Sequence, residues 1–158
     1  MAQSQNDTDA LAVSLFSEIL MADQLARSRL SKALPKGMEL SHFSVLNHLA
    51  HSGNERTPAQ LAKSFQVTRG AMTNTLAKLE AAGNVHIRPD WDDARRKLVT
   101  ISPAGRRARD AALANIAPII SEVVLDIGEH RVRSALPILR ELRVKLEADG
   151  LRPAARNP

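Results

Sequence analysis

The sequence of 158 residues contains no cysteine. Disulfides, thiolate zinc sites and thiol-based redox sensing are therefore excluded. No stretch approaches the roughly 20 apolar residues that a membrane-spanning helix needs. The first ten residues, MAQSQNDTDA, are polar and carry two acids, unlike the basic and then apolar start of a signal peptide. These absences predict a cytoplasmic protein without a membrane partner.

Signatures of enzymes are also missing. We find no glycine-rich phosphate loop, no nucleophile elbow and no carboxylate pair at a plausible catalytic position. His48 and His51 stand three residues apart on a predicted helix, but the segment offers no obvious third metal ligand. We therefore predict no catalytic residues, no metal site and no cofactor. A metal-dependent enzyme or metal sensor using these two histidines is the alternative.

The positive charge is concentrated in the middle of the chain. The net charge is +5, yet residues 53–109 alone carry eleven Lys/Arg and five Asp/Glu, a net +6, whereas residues 1–52 carry −1 and residues 110–158 are neutral. A local excess of this kind is typical of a basic face that binds nucleic acid.

Apolar residues at three- and four-residue steps predict long helices at both ends of the chain. The first runs from about Thr8 to Leu34, and a second helix runs from about Ser41 to His51. A helix starting at Ser102-Pro103 and a last helix after Gly128 follow the central region. Pro118 should kink or split the former, and Pro137 should act similarly in the latter.

Two short capped helices are predicted in the centre. Thr57, followed by a proline and then by Gln60, forms a capping box. Thr68 caps the second helix, which ends at Gly83. Val67, in the tight connection between them, is expected in the core. Two short helices joined by such a turn describe a helix-turn-helix.

After Gly83 the spacing of apolar residues changes from the helical period to every second residue. NVHIRPD and KLVTIS alternate like strands and flank the charged turn PDWDDARR, which predicts a β-hairpin. The expected fold is mainly α with a small β-hairpin wing (α+β): a winged helix-turn-helix with long N- and C-terminal dimerisation helices. We expect residues 1–36 and 103–149 to form the dimerisation segments, residues 37–102 the DNA-binding domain, and residues 150–158 a disordered tail.

Candidate DNA contacts lie on the second short helix and on the wing. Arginine and asparagine side chains can pair with guanine and adenine edges, while threonine and lysine suit phosphates or the thymine methyl. The helix candidates are Thr68, Arg69, Thr73, Asn74 and Lys78. The alternative for this face is an ordinary solvated helix surface.

At the wing tip, Asp93 precedes Arg95 by two residues, and we expect its carboxylate to accept the guanidinium hydrogen bonds and hold Arg95 in place. Such an arginine suits a narrow minor groove, while Arg88, Arg96 and Lys97 would meet phosphates. The alternative is a charged turn that keeps the ribbon in solution. Trp91 and Asp92 receive no predicted role.

The terminal helices hold apolar residues that a winged helix does not need for its own core. Packing against a second copy would cover them and would place two recognition helices on a palindromic site. The predicted dimerisation residues are Leu11, Leu15, Ile19, Leu136, Leu139, Leu142 and Leu146.

Three stretches carry a resemblance to a known family. They resemble the MarR family of transcription regulators and read MELSHFSVLNHLA, LEAAGNV and RPDWDDARRKLVTISPAG. In the first, His42 replaces a glutamine that is frequent in that family, and the third contains the family's Asp-x-Arg signature. The resemblance implies a dimer formed by the first and last two helices, with a recognition helix in the major groove and Arg95 in the minor groove. It also implies repression relieved by a small, often aromatic, anion.

The sequence predicts a homodimeric regulator that binds double-stranded DNA at a pseudo-palindromic operator and represses transcription. A small-molecule effector is expected to release it from DNA, and the sequence indicates no residues that would bind this effector. The alternative is a winged-helix module that binds a protein partner without specific DNA binding.

Overall fold

The computed structural model describes the backbone of residues 2–149 and the side chains of residues 5–147. The predicted disordered tail, residues 150–158, lies outside the described residues. The elements follow in the order α1 (Ala2–Ala33), α2 (Leu40–Ser52), α3 (Pro58–Ser64), α4 (Arg69–Ala81), β1 (Val85–Pro89), β2 (Lys97–Ile101), α5 (Pro103–Ile127) and α6 (Glu129–Asp149). The prediction of a mainly helical protein with a β-hairpin wing is confirmed.

The chain divides into two compact units, Met1–Ile116 and Ala117–Pro158. The first holds α1 to α4, the hairpin and the start of α5. The second holds the rest of α5 and α6. Both Pro118 and Pro137 lie inside continuous helices, so of the two effects expected of Pro118 the split is wrong, while the kink stays a prediction. A proline removes a single backbone N–H, and a helix can continue past it when the turns on either side keep their hydrogen bonds.

The core of the first unit is formed where α2, α3 and α4 meet the hairpin. The side chains that fill it are Val45, Leu46, Leu49, Leu61, Ala62, Met72, Leu76, Leu79, Val85 and Val99. The stripe on α4 is buried at four- and three-residue steps, so the opposite side of that helix faces outward. This burial determines which α4 side chains are available to a ligand.

Both predicted helix caps are present. The Thr57 hydroxyl accepts a hydrogen bond from the Gln60 N–H at 3.1 Å, and the Gln60 side chain accepts one from the Thr57 N–H at 2.9 Å. The Thr68 hydroxyl accepts one from the Ala71 N–H at 3.1 Å. These bonds satisfy donors that a helix start leaves unpaired, and they define where α3 and α4 begin.

The turn between α3 and α4 differs from the prediction at Val67. Gln66 adopts a left-handed conformation with φ of 52°. The N–H groups of Gln66 and Val67 then donate to the carbonyls of Lys63 and Ala62 at 3.2 and 3.0 Å, a Schellman ending. Val67 is 44% exposed, so its assignment to the core is wrong. The left-handed residue reverses the chain before Val67 and leaves its side chain half outside.

The hairpin is antiparallel, with Val85 opposite Ile101 and Ile87 opposite Val99. A segment before α3 extends it: the Arg56 N–H donates to the Val99 carbonyl at 3.1 Å, and the Val99 N–H donates to the Arg56 carbonyl at 2.8 Å. The sequence offers no local signal for this contact. It ties the returning strand of the wing to the start of the helix-turn-helix.

The apolar side chains of the terminal helices are largely uncovered within the described residues. Leu11 on α1 is 70% exposed, and Leu139 and Leu146 on α6 are about half exposed. Within Ala2–Asp149, no single helix is long and apolar enough to cross a membrane. The pair Pro103–Ile127 and Glu129–Glu147 meets the criteria of length and composition only when the two are taken together across a bend.

Candidate nucleic-acid interface

The exposed side of α4 carries most of the side chains predicted to read DNA. Because Met72, Leu76 and Leu79 point into the core, Arg69, Thr73, Asn74 and Lys78 are left exposed, as is Thr68 at the N-cap. Side chains near the N-terminus of such a helix are the ones that reach base edges when it lies in a major groove.

A groove joins the start of α4 to the wing. It is lined by Arg69 and Thr73 from α4 and by Arg95, Arg96 and Lys97 from the wing, with the first residues of α3 between them. Four cations from two elements that are far apart in sequence therefore border one concave surface. Cations placed in this way raise the local potential for a polyanion more than the same charges scattered over a surface.

The wing loop, residues 90–96, is held by carboxylates that bond to backbone groups. The Asp93 carboxylate accepts a hydrogen bond from the backbone N–H of Arg95 at 3.1 Å, and the Arg96 N–H donates to the Asp93 carbonyl at 2.8 Å. The expectation that Asp93 holds the Arg95 guanidinium is therefore wrong. The carboxylate closes an Asx turn, and in the described part of the chain the Arg95 guanidinium has no partner.

Asp90 acts in the same way at the start of the loop. Its carboxylate accepts from the Asp92 N–H at 3.1 Å, its own N–H donates to the Arg96 carbonyl at 3.0 Å, and it lies 3.8 Å from the Arg96 guanidinium. Two of the three acids at the wing tip thus organise the loop backbone, which explains why acids occur inside a basic region.

Besides Arg96, two cations predicted to contact DNA are already paired. Lys78 Nζ lies 2.9 Å from Glu39 Oε1, and the hydrogen bond and charge of Lys78 hold the pKa of Glu39 below its ordinary value. Arg88 donates to both oxygens of the Glu55 carboxylate at 3.0 and 2.6 Å. Their charge is compensated in this structure, so they offer less to a phosphate than Arg69 or Arg95.

A second cavity, of about 700 Å³, lies between the connection before α2, the end of α4 and the start of α5. Its charged or titratable lining residues are Lys36, Glu39, His42 and Lys78. His42 is 7% exposed, its Nδ1 accepts from the Glu39 N–H at 3.1 Å, and its buried Nε2 has no hydrogen-bond partner among the described residues. Since Glu39 is the N-cap of α2 and His42 stands three residues later, the capping-box spacing is the sequence signal for this contact.

The environment of His42 predicts a pH-dependent stability. Burial lowers the pKa of His42, Glu39 opposes that shift and Lys78 adds to it. The folded protein therefore binds fewer protons here than the unfolded chain does. The contribution of His42 to the free energy of unfolding is complete above the ordinary His pKa of 6.5. It is lost as the pH falls through the lowered pKa of the folded protein.

His42→Gln is the matched variant, because glutamine at this helix position can still accept from the Glu39 N–H but does not titrate. Thermal melts of both proteins between neutral and mildly acidic pH should show a steeper loss of Tm for the wild type. Parallel Tm curves would show that the pKa of His42 is the same in the folded and the unfolded protein.

The two histidines considered as metal ligands have other contacts. The His48 ring packs edge-on against Phe65 with centroids 5.4 Å apart, and His51 Nδ1 lies 2.8 Å from the Asn47 carbonyl. Among the described residues, no group of three or more His, Cys, Asp or Glu side chains is placed to hold a metal ion.

The fold and the groove define a winged helix-turn-helix protein. The model of the MarR family matches residues 36–96. The HTH-type transcriptional repressor Mb2911 of Mycobacterium bovis is 38% identical over 127 residues, which cover 78% of this chain and 84% of that protein. The transcriptional activatory protein BadR of Rhodopseudomonas palustris is 26% identical over 146 residues, 88% of this chain and 83% of BadR. The chain belongs to the MarR family of transcriptional regulators.

Solved structures show the same fold. BldR of Sulfolobus solfataricus superposes with a TM-score of 0.70 at 28% identity, and the match covers 82% of this chain and 95% of BldR. A mutant of Escherichia coli MarR in complex with operator DNA gives a TM-score of 0.73 at 23% identity, over 83% of this chain and 94% of that one. The structure of Bordetella bronchiseptica BpsR, whose DNA binding is described as regulated by 6-hydroxynicotinic acid, gives a TM-score of 0.73 at 18% identity. The match covers 82% of this chain and 98% of that one.

Proposed function

We propose that this protein is a homodimeric transcriptional repressor that binds a pseudo-palindromic operator and is released by a small anionic ligand. The observation that carries the DNA-binding part is the groove in which Arg69 and Thr73 of α4 meet Arg95, Arg96 and Lys97 of the wing. In this proposal α4 enters the major groove, and its Arg69 and Asn74 read base edges.

The wing reaches the adjacent minor groove through Arg95. Its guanidinium has no partner within the described residues, so no internal ion pair has to break before it enters DNA. The narrow minor groove of A·T-rich sequence has a strongly negative potential, which favours an inserted arginine. Thr68, Arg96 and Lys97 are proposed to bind the flanking phosphates, with Arg88 and Lys78 contributing less because Glu55 and Glu39 neutralise them.

Dimerisation is proposed through residues 1–36 and 103–149. Five of the predicted dimerisation residues, Leu11 and Leu15 of α1 and Leu136, Leu139 and Leu146 of α6, are at least 40% exposed, whereas Ile19 and Leu142 are partly buried. An apolar surface of that extent is unfavourable in water. A second copy related by a twofold axis would cover it and match the symmetry of a palindromic site. Light scattering should give twice the mass of one chain.

The proposal of repression and release rests on the relatives and on the second cavity. Mb2911 is named a repressor, and DNA binding by BpsR is described as regulated by 6-hydroxynicotinic acid. The cavity beside His42 is lined by Lys36 and Lys78, which favour an anion. It borders α4, so a ligand there would contact the helix proposed to read DNA.

Anisotropy titration of labelled genomic duplexes from the protein's own upstream region tests the proposal. We expect sequence-selective binding whose affinity falls steeply with salt, because each neutralised phosphate releases counterions. A scrambled duplex of the same composition is the control. Equal affinity for both duplexes, or no salt-sensitive binding, would contradict the proposal and favour the protein-interaction alternative.

The role of Asp93 can be separated from its charge. Asp93→Ala removes the acceptor for the Arg95 N–H, so the loop should lose its turn and DNA binding should weaken although a negative charge has been removed. Asp93→Asn keeps an acceptor suited to an Asx turn and should bind at least as tightly as the wild type. Tighter binding by Asp93→Ala would show that the carboxylate acts only by repelling DNA.

A further inference from the structure

Trp91 has no role in the core or in the groove described above. It is the only tryptophan of the chain, it lies in the wing loop, and it is 83% exposed. A tryptophan side chain carries a large apolar surface that is favourable to bury. Its position at the tip of the wing places that surface where a DNA ligand would approach.

The indole is held from one side. The Arg88 guanidinium carbon lies 5.7 Å from the centroid of the ring, within the range of a cation–π contact. Arg88 is itself oriented by two hydrogen bonds to Glu55 and by one to the Pro89 carbonyl at 3.0 Å. Glu55 therefore orients Arg88, and Arg88 in turn orients the indole of Trp91. Less conformational freedom is then lost on binding than for a freely rotating ring.

Trp91 lies in the same short loop as Arg95. The strand register pairs Pro89 with Lys97, and the Asp90 N–H bonds to the Arg96 carbonyl at 3.0 Å. Trp91 directly follows Asp90 and Arg95 directly precedes Arg96, so both belong to the loop that this bond closes. A groove that receives Arg95 therefore also brings a DNA wall close to Trp91.

We propose that Trp91 is a second DNA contact of the wing, packing its indole against the deoxyribose and base edges that border the minor groove next to Arg95. The inference rests on the proposed DNA binding. Proteins that bind the minor groove frequently place apolar side chains there, and the stacking of aromatic rings on bases is tolerant of sequence. Trp91 would thus add affinity without adding a charge.

The fluorescence of the single tryptophan tests the contact directly. Acrylamide should quench Trp91 efficiently in the free full-length protein and several-fold less efficiently in the saturated complex, while anisotropy of a labelled duplex reports binding independently. Bound duplex with unchanged quenching would overturn the contact but leave the proposed function intact. Absence of duplex binding would overturn both. Protection that requires only a higher protein concentration, without DNA, would show that the ring contacts a second copy of the chain.

Substitutions separate an apolar contact from a charged one. Trp91→Ala should weaken duplex binding by roughly fivefold to tenfold and leave the slope of affinity against salt unchanged, whereas losing a phosphate-neutralising cation lowers that slope by about one. Trp91→Phe should recover most of the affinity. Because the side chain is exposed, neither variant should change Tm by much. Unchanged affinity of Trp91→Ala, or an altered salt slope, would contradict the proposal.

Discussion

Arg95→Ala should reduce operator affinity at least about 30-fold while leaving the fold unchanged. One good arginine contact in a DNA groove contributes about 1–3 kcal/mol, and a dimer would lose two of them. The fold should survive because the guanidinium has no partner within the described residues, so its removal leaves no group unsatisfied. Anisotropy titrations for affinity and thermal melts for stability measure the two effects separately.

Two control variants distinguish the geometry of Arg95 from its charge. Arg95→Lys keeps the charge but lacks the planar fork and its weaker hydration, and it should recover only part of the affinity. Arg143→Ala removes the same charge from α6, where the side chain is 65% exposed and pairs with Glu147, and it should leave affinity almost unchanged. Equal losses for Arg95→Ala and Arg143→Ala would indicate that net charge alone drives binding.

Gly105→Ala should destabilise the first unit by about 3 kcal/mol, the upper range for overpacking. A Cβ at Gly105 would collide with the backbone carbonyl of Asn84 and approach Ile101 Cγ1 to 2.9 Å. The same junction is fixed by Ser102, whose hydroxyl donates to the Gly83 carbonyl at 2.6 Å and accepts from the Gly105 N–H at 2.9 Å. The added methyl would therefore push α5 away from the base of the wing.

Gly70→Ala is the matched control for that prediction. Gly70 lies in α4 and has nothing within 4 Å of the added Cβ, so the change should leave stability the same or raise it by up to about 1 kcal/mol through helix propensity. For a chain of this length, the loss at Gly105 corresponds to a fall in Tm of roughly 6–12 °C. Similar Tm values for the two variants would contradict the packing argument.

Local patterns determined the architecture of the winged helix. The capping box at Thr57, the N-cap at Thr68 and the change of period after Gly83 each depend on residues within a few positions of one another, and the structure contains each of these elements. The burial of Met72, Leu76 and Leu79 follows from helical spacing in the same way. These features could be predicted because the interactions that create them are short in sequence.

Contacts between distant residues were decided only by the tertiary structure. Lys78 meets Glu39 and Arg88 meets Glu55 across 39 and 33 residues, and no pattern in the sequence shows that these two cations are neutralised while Arg95 is not. The wing acids illustrate the same division. The sequence indicated that Asp93 braces Arg95, but the folded loop determined that the bond goes to the backbone N–H, since side-chain direction depends on the turn geometry that packing imposes.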